Sequence, residues 1–311
     1  MRELRINGIL ILAVDHGFGN IKSANTVFSN GMAVYDTEPA MYPDYLYYEG
    51  KYYVLNQGHK AYESEKVNDD DFYILTVAAI AKELQLRGKT KDRIHLAVGL
   101  PLKWIDAQKE EFKAYLLRES MLEFDYKSQH YEVEICGCSV MPQCYAGIAE
   151  NLQCFKGLNM IADIGNGTMN VMCLMDGVPV ANKTWTEILG VEQCAKRIHD
   201  AVLDKFQYDL QEVLVEKYVR TGKADVSQNY LDIMRKSAVE YVDIIFQKLK
   251  ECGYNSDTMR LYFMGGGARL IELFGDYDSN RVTINHDICA NAKGYEYFCY
   301  VALKRTKAYT N

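Results

Sequence analysis

Two short stretches, VDHGFGNIK from Val14 to Lys22 and ADIGNGTMN from Ala162 to Asn170, share one grammar. An aspartate closes an apolar run, glycines stand at the second and fourth positions after it, and an apolar run then resumes. The aspartates, Asp15 and Asp163, lie 148 positions apart (163 minus 15) in a chain of 311 residues. That spacing makes the pattern a duplicated domain rather than a short-repeat array, and each half is long enough for its own core.

The periodicities around the two turns predict an α/β protein. In the first half Ile9–Asp15 and Ile21–Phe28 read as strands, MAVY from Met32 as a third, and the tyrosines around Glu49-Gly50 as a hairpin. Asp69–Gly88 carries helix start and stop signals; RIHLAVGLPLKW reads as a buried strand and DAQKEEFKAYLLRES as the helix after it. In the second half strands are expected over Met160–Asp163 and Asn170–Met175, with Asp176-Gly177 closing a hairpin to VPVANKTW. Helices are expected over Gly190–Phe206 and Ser227–Cys252, then a strand Arg260–Met264 running into a third glycine cluster, MGGGARLI, and a closing helix in NAKGYEYFCYVALKRTK. Strands alternating with helices suit a layered α/β architecture.

A turn without Cβ atoms lets backbone N–H groups approach an anion closely, so Gly17 with Gly19 and Gly165 with Gly167 can each form a cup for phosphate. An aspartate beside such a cup repels phosphate unless a divalent cation lies between them. Asp15 and Asp163 therefore suit Mg²⁺, held through water. Asn20 and Thr168 add donors, and Lys22 can return its ammonium to a β- or γ-phosphate. Taken singly, each turn is equally an ordinary hairpin turn with glycine for geometry. The third cluster, Gly265, Gly266 and Gly267 at a strand-to-helix junction, adds a place where backbone can pass under a nucleoside. Neither GxxxxGK[ST] nor a helix-opening GxGxxG occurs, which excludes the P-loop and dinucleotide-binding readings.

A formal net charge of -7 argues against a chain that wraps nucleic acid by itself, since such binding neutralises phosphates with Lys and Arg. Any DNA cargo calls for an adaptor. The 9 cysteines are scattered, and Cys136 and Cys138 have no matching second pair, so free thiols are expected rather than disulfides or a zinc site. No secretory leader is expected, and no apolar run approaches the roughly 18 residues of a membrane span. A cytoplasmic location without membrane contact is the expectation.

The phrases DHGFGNIK, DIGNGT and MGGGARLI resemble the phosphate-1, phosphate-2 and adenosine motifs of the actin, DnaK-chaperone and sugar-kinase superfamily. VGLPLKW, VMPQCYAGIAENLQ and the order of the later elements are similar to the ParM/StbA group of plasmid-segregation proteins. The resemblance runs from about Ile9 to Ala302. It implies two RNase H-like (actin-like ATPase) lobes around a nucleotide cleft, with lobe I over 1–157, lobe II over 158–290, and 291–311 as a C-terminal helix packing back on lobe I. It implies ATP or GTP with Mg²⁺ as cofactors, head-to-tail self-assembly, and a DNA-binding adaptor that links filament to plasmid or other mobile DNA.

By motif, Asp15, Gly17, Phe18, Gly19, Asn20 and Lys22 would hold phosphates and metal from lobe I. Asp163, Gly165, Asn166, Gly167 and Thr168 would do so from lobe II, and Gly265, Gly266 and Gly267 would meet the adenosine. Gln143, at the expected start of the connecting helix, falls where the group positions water, so Gln143, Asp163 and Asp15 are the catalytic candidates. An amide orients water but is no strong base, which implies slow hydrolysis. His16 departs from the group's pattern and reads as a solvent-facing turn residue in preference to a phosphate contact; His199 and His286 read as ordinary. Tyr42–Tyr62 and Tyr208–Gln228 are candidate filament surfaces. The alternatives are a small-molecule kinase, for which Gln143 is a poor base, and a chaperone-like ATPase, for which the chain leaves little room.

Overall fold

The computed structural model of the chain describes residues 1–58 and 70–306. Contacts divide it into two compact units, Met1–Glu150 together with the segment from Cys289, and Asn151–Ile288.

The first unit opens with β1 (Leu4–Ile6) and β2 (Ile9–His16), then β3 (Asn20–Lys22), β4 (Val27–Ser29), β5 (Met32–Tyr35), β6 (Tyr45–Tyr48) and β7 (Lys51–Leu55). Helix α1 (Asp71–Leu86), strand β8 (Lys91–Leu100) and helix α2 (Ile105–Leu116) follow, and the hairpin β9 (Met121–Tyr126) with β10 (Gln129–Pro142) completes the sheet. A 3₁₀ segment, Ala146–Cys154, carries the chain onward with a non-helical Asn151 inside it.

The second unit contains β11 (Leu158–Ile164), β12 (Met169–Met175), β13 (Val178–Glu187), α3 (Val191–Phe206), α4 (Glu212–Thr221), α5 (Gln228–Glu251), β14 (Arg260–Met264), α6 (Ala268–Phe274) and β15 (Val282–Ile284). Helix α7 (Ala290–Arg305) then packs in the first unit, beside β1, β2 and β8.

The duplication inferred from the two turns is visible in the sheets. In the first unit the strands run β4-β3-β2-β8-β10, with the first two pairings antiparallel and the next two parallel. In the second they run β13-β12-β11-β14-β15 with the identical sequence of senses. Numbered by order of appearance, both are 3-2-1-4-5. The first unit extends this motif through β9, β6, β7 and β5 on one side, while β1 pairs with β2.

Strand β2 is buried along its whole length, and its period of two divides it between two layers. Leu10, Leu12 and Val14 join the core shared with α1 and α2, whereas Ile11 and Ala13 face Ala292, Tyr295 and Cys299 of α7. Small residues let α7 lie close: a Cβ on Gly99 of β8 would overlap the Tyr295 ring, and one on Gly294 would overlap the Ala146 carbonyl. In the second unit Met160, Ala162 and Ile164 of β11 pack into the core formed with α3, α5 and α6.

Several local expectations need correction. The strand read over Ile21–Phe28 is two strands, because Ser23–Thr26 turns back, with Ser23 N–H donating to the Thr26 carbonyl at 2.9 Å. The connecting helix is 3₁₀, and Gln143 precedes it in a turn where Cys144 takes a φ of 69°. His16 does not face solvent. As the last residue of β2 it continues the inward alternation, is 0% exposed, and pairs with the Thr76 hydroxyl of α1 at 2.7 Å beside Phe72 and Phe112. Segment Tyr208–Gln228 contains α4, which turns Val215, Tyr218 and Val219 to the core and leaves Val213 and the preceding Tyr208 exposed. Glu49 and Gly50 do close the tyrosine hairpin, with φ of 47° and 79° as a primed turn requires. The part of Tyr42–Tyr62 beyond Gly58, the expected helix start at Asp69 and the end of the closing helix at Lys307 lie outside the described residues.

Candidate functional site

The turn after β2 is built around a buried carboxylate. Alternation along β2 sends Asp15 to the α7 layer and His16 to the opposite one, so Asp15 sits only 3% exposed at the strand end. Lys22, its register partner on β3, places Nζ 3.2 Å from Asp15 Oδ2. Gln143 donates from Nε2 to Asp15 Oδ1 at 3.2 Å, and the Tyr295 hydroxyl lies 3.5 Å from that same oxygen. Two sequence-predicted residues, Lys22 and Gln143, thus converge on a third.

Gln143 is held from behind. Its N–H donates to the Leu100 carbonyl, and the next amide, Cys144 N–H, donates to Asn291 Oδ1 at the start of α7. Asn291 and Tyr295, one helical turn apart on α7, are functional candidates that sequence reasoning missed. The signal lay in pairing Gly99 with a distant aromatic, which no local pattern reports.

Within the turn, a Cβ on Gly17 would come 2.6 Å from the Asn20 carbonyl, so glycine is required by close approach. The Phe18 side chain is 8% exposed and packs edge-on to Trp104, while its carbonyl accepts from Asn30 Nδ2 at 2.9 Å. Its ring serves the core, and any phosphate contact from Phe18 is a main-chain one. Asn20 is exposed.

The turn after β11 is held mainly by backbone. Gly165 N–H donates to the Thr168 carbonyl at 2.8 Å, and the carbonyls of Gly165 and Asn166 accept from Val191 and Glu192, the first amides of α3. Gly190 precedes that helix so closely that a Cβ there would overlap the Asn166 carbonyl, and Tyr241 of α5 donates to the Gly190 carbonyl at 2.7 Å. Asp163 is 5% exposed and Thr168 5% exposed.

The third cluster closes on the same strand end. Gly265, with φ of 82°, leaves no room for a Cβ between the Asp163 carboxylate and the Ile164 carbonyl, and Gly267 N–H donates to that carbonyl at 2.8 Å. Around Gly266 a Cβ would meet nothing within 4 Å. Two of the three glycines are therefore packing devices and the middle one faces space. Beside it opens a cavity of about 300 Å³, lined among others by Gly265, Gly266, Val191, Arg220 and Arg269. Val219 and Arg220 bring α4 to this wall.

Each turn offers one buried carboxylate, and among the described residues no cluster of His, Cys, Asp and Glu is dense enough to hold a metal alone. That donor set fits Mg²⁺, which keeps several waters and takes remaining ligands from phosphate oxygens. His199 pairs with Asp209 at 2.8 Å and is an ordinary surface contact. Cys136 and Cys138 lie on β10, the first half-buried and the second buried.

Comparison with known proteins gives this geometry a context. Residues 43–145 match the family model for the actin-like proteins' N-terminal domain. The archaeal actin homolog Ta0583 in complex with ADP aligns with a TM-score of 0.71 at 18% identity, covering 95% of this chain and 99% of that one. The fold is actin-like. A 15-stranded ParM filament from Clostridium botulinum aligns with a TM-score of 0.72 at 17% identity over 93% of this chain and 98% of that one. Bacillus thuringiensis ParM with ATP aligns at 0.66 and 13% identity, covering 96% and 100%. No curated protein matches the chain by sequence. The actin-like fold expected from the motifs is thus found over more than nine-tenths of the chain. No helix among the described residues is long and apolar enough to cross a membrane.

Proposed function

We propose that this actin-like protein is a nucleoside triphosphatase that assembles with copies of itself under nucleotide control. The observation that carries the reading is the Asp15 carboxylate, buried at the mouth of a glycine turn and held between the Lys22 ammonium and the Gln143 amide. A second aspartate–glycine turn stands at the equivalent strand end of a sheet with the same topology. An ammonium, glycine-turn amides and a carboxylate suited to hydrated Mg²⁺ form a donor set for a triphosphate.

In this reading Asp15 and Asp163 each hold Mg²⁺ through water, and Mg²⁺ when bound neutralises phosphate charge. The glycine turns after Asp15 and Asp163 contribute main-chain donors other than the Gly17 and Gly165 amides, which bond within their own turns, and Lys22 a point charge. Gln143 orients the attacking water with its amide, a role that positions without deprotonating. The cavity beside Gly266 takes the nucleoside. The similar structures in complex with ADP and with ATP support nucleotide binding, and the ParM filament supports self-assembly. Head-to-tail contacts that do not close on themselves give a filament. We extend the reading to segregation of plasmid or other mobile DNA through a basic adaptor in the cytoplasm, since a net charge of -7 argues against DNA binding by the chain itself.

Light scattering, pelleting and phosphate release with Mg·ATP or Mg·GTP test the proposal, beside Asp163→Ala. Scattering that rises with nucleotide, decays as phosphate appears and is lost in the variant is the expected result. Phosphate release without pelleted protein would remove the assembly half of the reading, and no nucleotide binding at all would remove both.

A further inference from the structure

Directly behind Lys22 the chain buries a charged network that phosphate chemistry does not itself require. Lys22 points to Asp15; the next residue, Ser23, points the other way and is 0% exposed. Its hydroxyl donates to the Glu83 carboxylate of α1, itself 1% exposed. Asn25 N–H donates to Glu83 Oε1 at 3.1 Å and the Asn25 amide donates to Oε2 at 3.1 Å. Arg87, the residue that caps the C-terminal end of α1, pairs with the same carboxylate and donates to the Arg2 carbonyl at 3.0 Å. Arg2 closes the circuit: its N–H donates to Asn25 Oδ1 at 2.8 Å and its guanidinium meets Glu296 of α7 at 3.0 Å.

Such a network is a poor source of stability. Taking charges out of water costs several kcal/mol per ion, and an apolar replacement of equal shape is often as stable. What it can do is fix a conformation. Strand β3 is three residues long and has two register partners on β2, Asp15↔Lys22 and His16↔Ile21. A pairing that short does not by itself hold a lysine side chain in place. The turn that follows is instead fastened to α1, to the N-terminal segment and, through Arg2, to α7.

We propose that Glu83, acting through Ser23 and Asn25, is the positioning residue that sets the Lys22 ammonium at the phosphate site. The consequence for catalysis rests on the nucleotide reading above; the consequence for Lys22 does not. Two measurements keep these apart.

In nucleotide-free protein, a ¹H–¹⁵N correlation resolves the Lys22 ammonium while it is held against Asp15. Glu83→Gln and Ser23→Ala are expected to shift or broaden that resonance to the position of a solvated lysine. In the second measurement, Mg·ATP and Mg·GTP affinities are taken for Ser23→Ala, Glu83→Gln, Lys22→Met and the two doubles. Each network variant is expected to weaken binding by about tenfold beside Lys22, and to have no further effect in the Lys22→Met background. Thermal unfolding confirms that each variant is folded, and Ser23→Ala, the milder change, keeps the test open if Glu83→Gln is not.

An unchanged Lys22 resonance overturns the proposal, as do equal losses with and without Lys22, which would mean the network merely supports the fold. If wild-type protein binds neither nucleotide while the Lys22 resonance responds as expected, the nucleotide reading fails and the positioning role stands.

Discussion

The two aspartate–glycine turns have the same spelling and occupy the same place in matching sheets, yet they are made rigid by different means. Around Asp15 the work falls to side chains from four elements: Lys22 of β3, Gln143 after β10, Tyr295 of α7 and, behind them, Glu83 of α1. In the turn that follows Asp163, main-chain hydrogen bonds and close glycine contacts predominate, with Gly190, Gly265 and Gly267 pressed against Asn166 and Ile164. A duplicated plan therefore yields one turn whose chemistry can be tuned residue by residue and one whose shape is fixed by backbone. The difference sets which substitutions change activity and which destroy the unit.

The harshest break in the comparison is Gly190→Ala. Its φ of -103° is open to any residue, so the penalty is purely steric: the new methyl overlaps the Asn166 carbonyl and must push the turn away from α3. We expect a loss of about 3–5 kcal/mol, at the severe end for a single substitution. Urea unfolding followed at Trp185, on β13 of the same unit, reads it; a midpoint unchanged from wild type would show that the turn yields easily.

A second contrast is ionic. Among the described residues the first unit buries Asp15, His16, Glu83, His95 and Glu296, whereas the second buries one such side chain, Asp163. Burial, opposed by Arg2 and reinforced by Glu83, pushes the Glu296 carboxyl up to about 7 from 4.5. Between those values the folded chain holds a proton that the unfolded chain has released, so this contribution is full below about 4.5 and is lost as pH rises through 7. Relative to Glu296→Gln, wild type should lose on the order of 2–3 kcal/mol between pH 5 and 8. His95 slopes the other way: burial, with help from Lys113, holds it down to about 4, so its share is lost as pH falls from 6.5. Unfolding followed at Trp104 should show these slopes, and unfolding followed at Trp185 should show neither. Equal pH dependence at both tryptophans would erase the contrast.

Gln143→Ala tests whether the first turn is tunable as claimed. It removes one donor to Asp15 and no core packing, and is expected to lower kcat by about 10²-fold with nucleotide affinity nearly kept. A matching rise in Kd would recast Gln143 as a binding residue.

How much of this was legible depends on the range of the interaction. The glycine turns, the tyrosine hairpin and the long helices were readable because each is specified within a few residues, by φ at Glu49 and Gly50 or by spacing along α5. The 3-2-1-4-5 order is stated by no local pattern; only the RNase H-like lobes implied by the resemblance pointed toward it. His16 was misread because its burial depends on where β2 ends: one more strand residue turns a loop histidine into a core one. Tyr295 and Asn291 were invisible, as they reach Asp15 and Cys144 from 280 and 147 positions away. Ser23 and Glu83 share that fate, since a serine in a turn and a glutamate on a helix are unremarkable until the fold joins them.

Gly266 offers the smallest change and the sharpest separation of shape from chemistry within the second unit. Its neighbours Gly265 and Gly267 are confined, the first by φ of 82° and both by Ile164, so alanine at either costs stability before any ligand arrives. At Gly266 a methyl meets nothing within 4 Å and the backbone is one that any residue adopts. The free protein should tolerate Gly266→Ala to within about 0.5 kcal/mol, as surface substitutions commonly are. The methyl projects instead beside the cavity assigned to the nucleoside, where close approach of backbone to ligand is the reason for glycine. Calorimetric titration should show Mg·nucleotide binding weakened by about tenfold, equivalent to roughly 1.4 kcal/mol. Unchanged affinity would place the nucleoside away from this wall and leave the third cluster as a packing device like Gly190, governed by backbone shape alone.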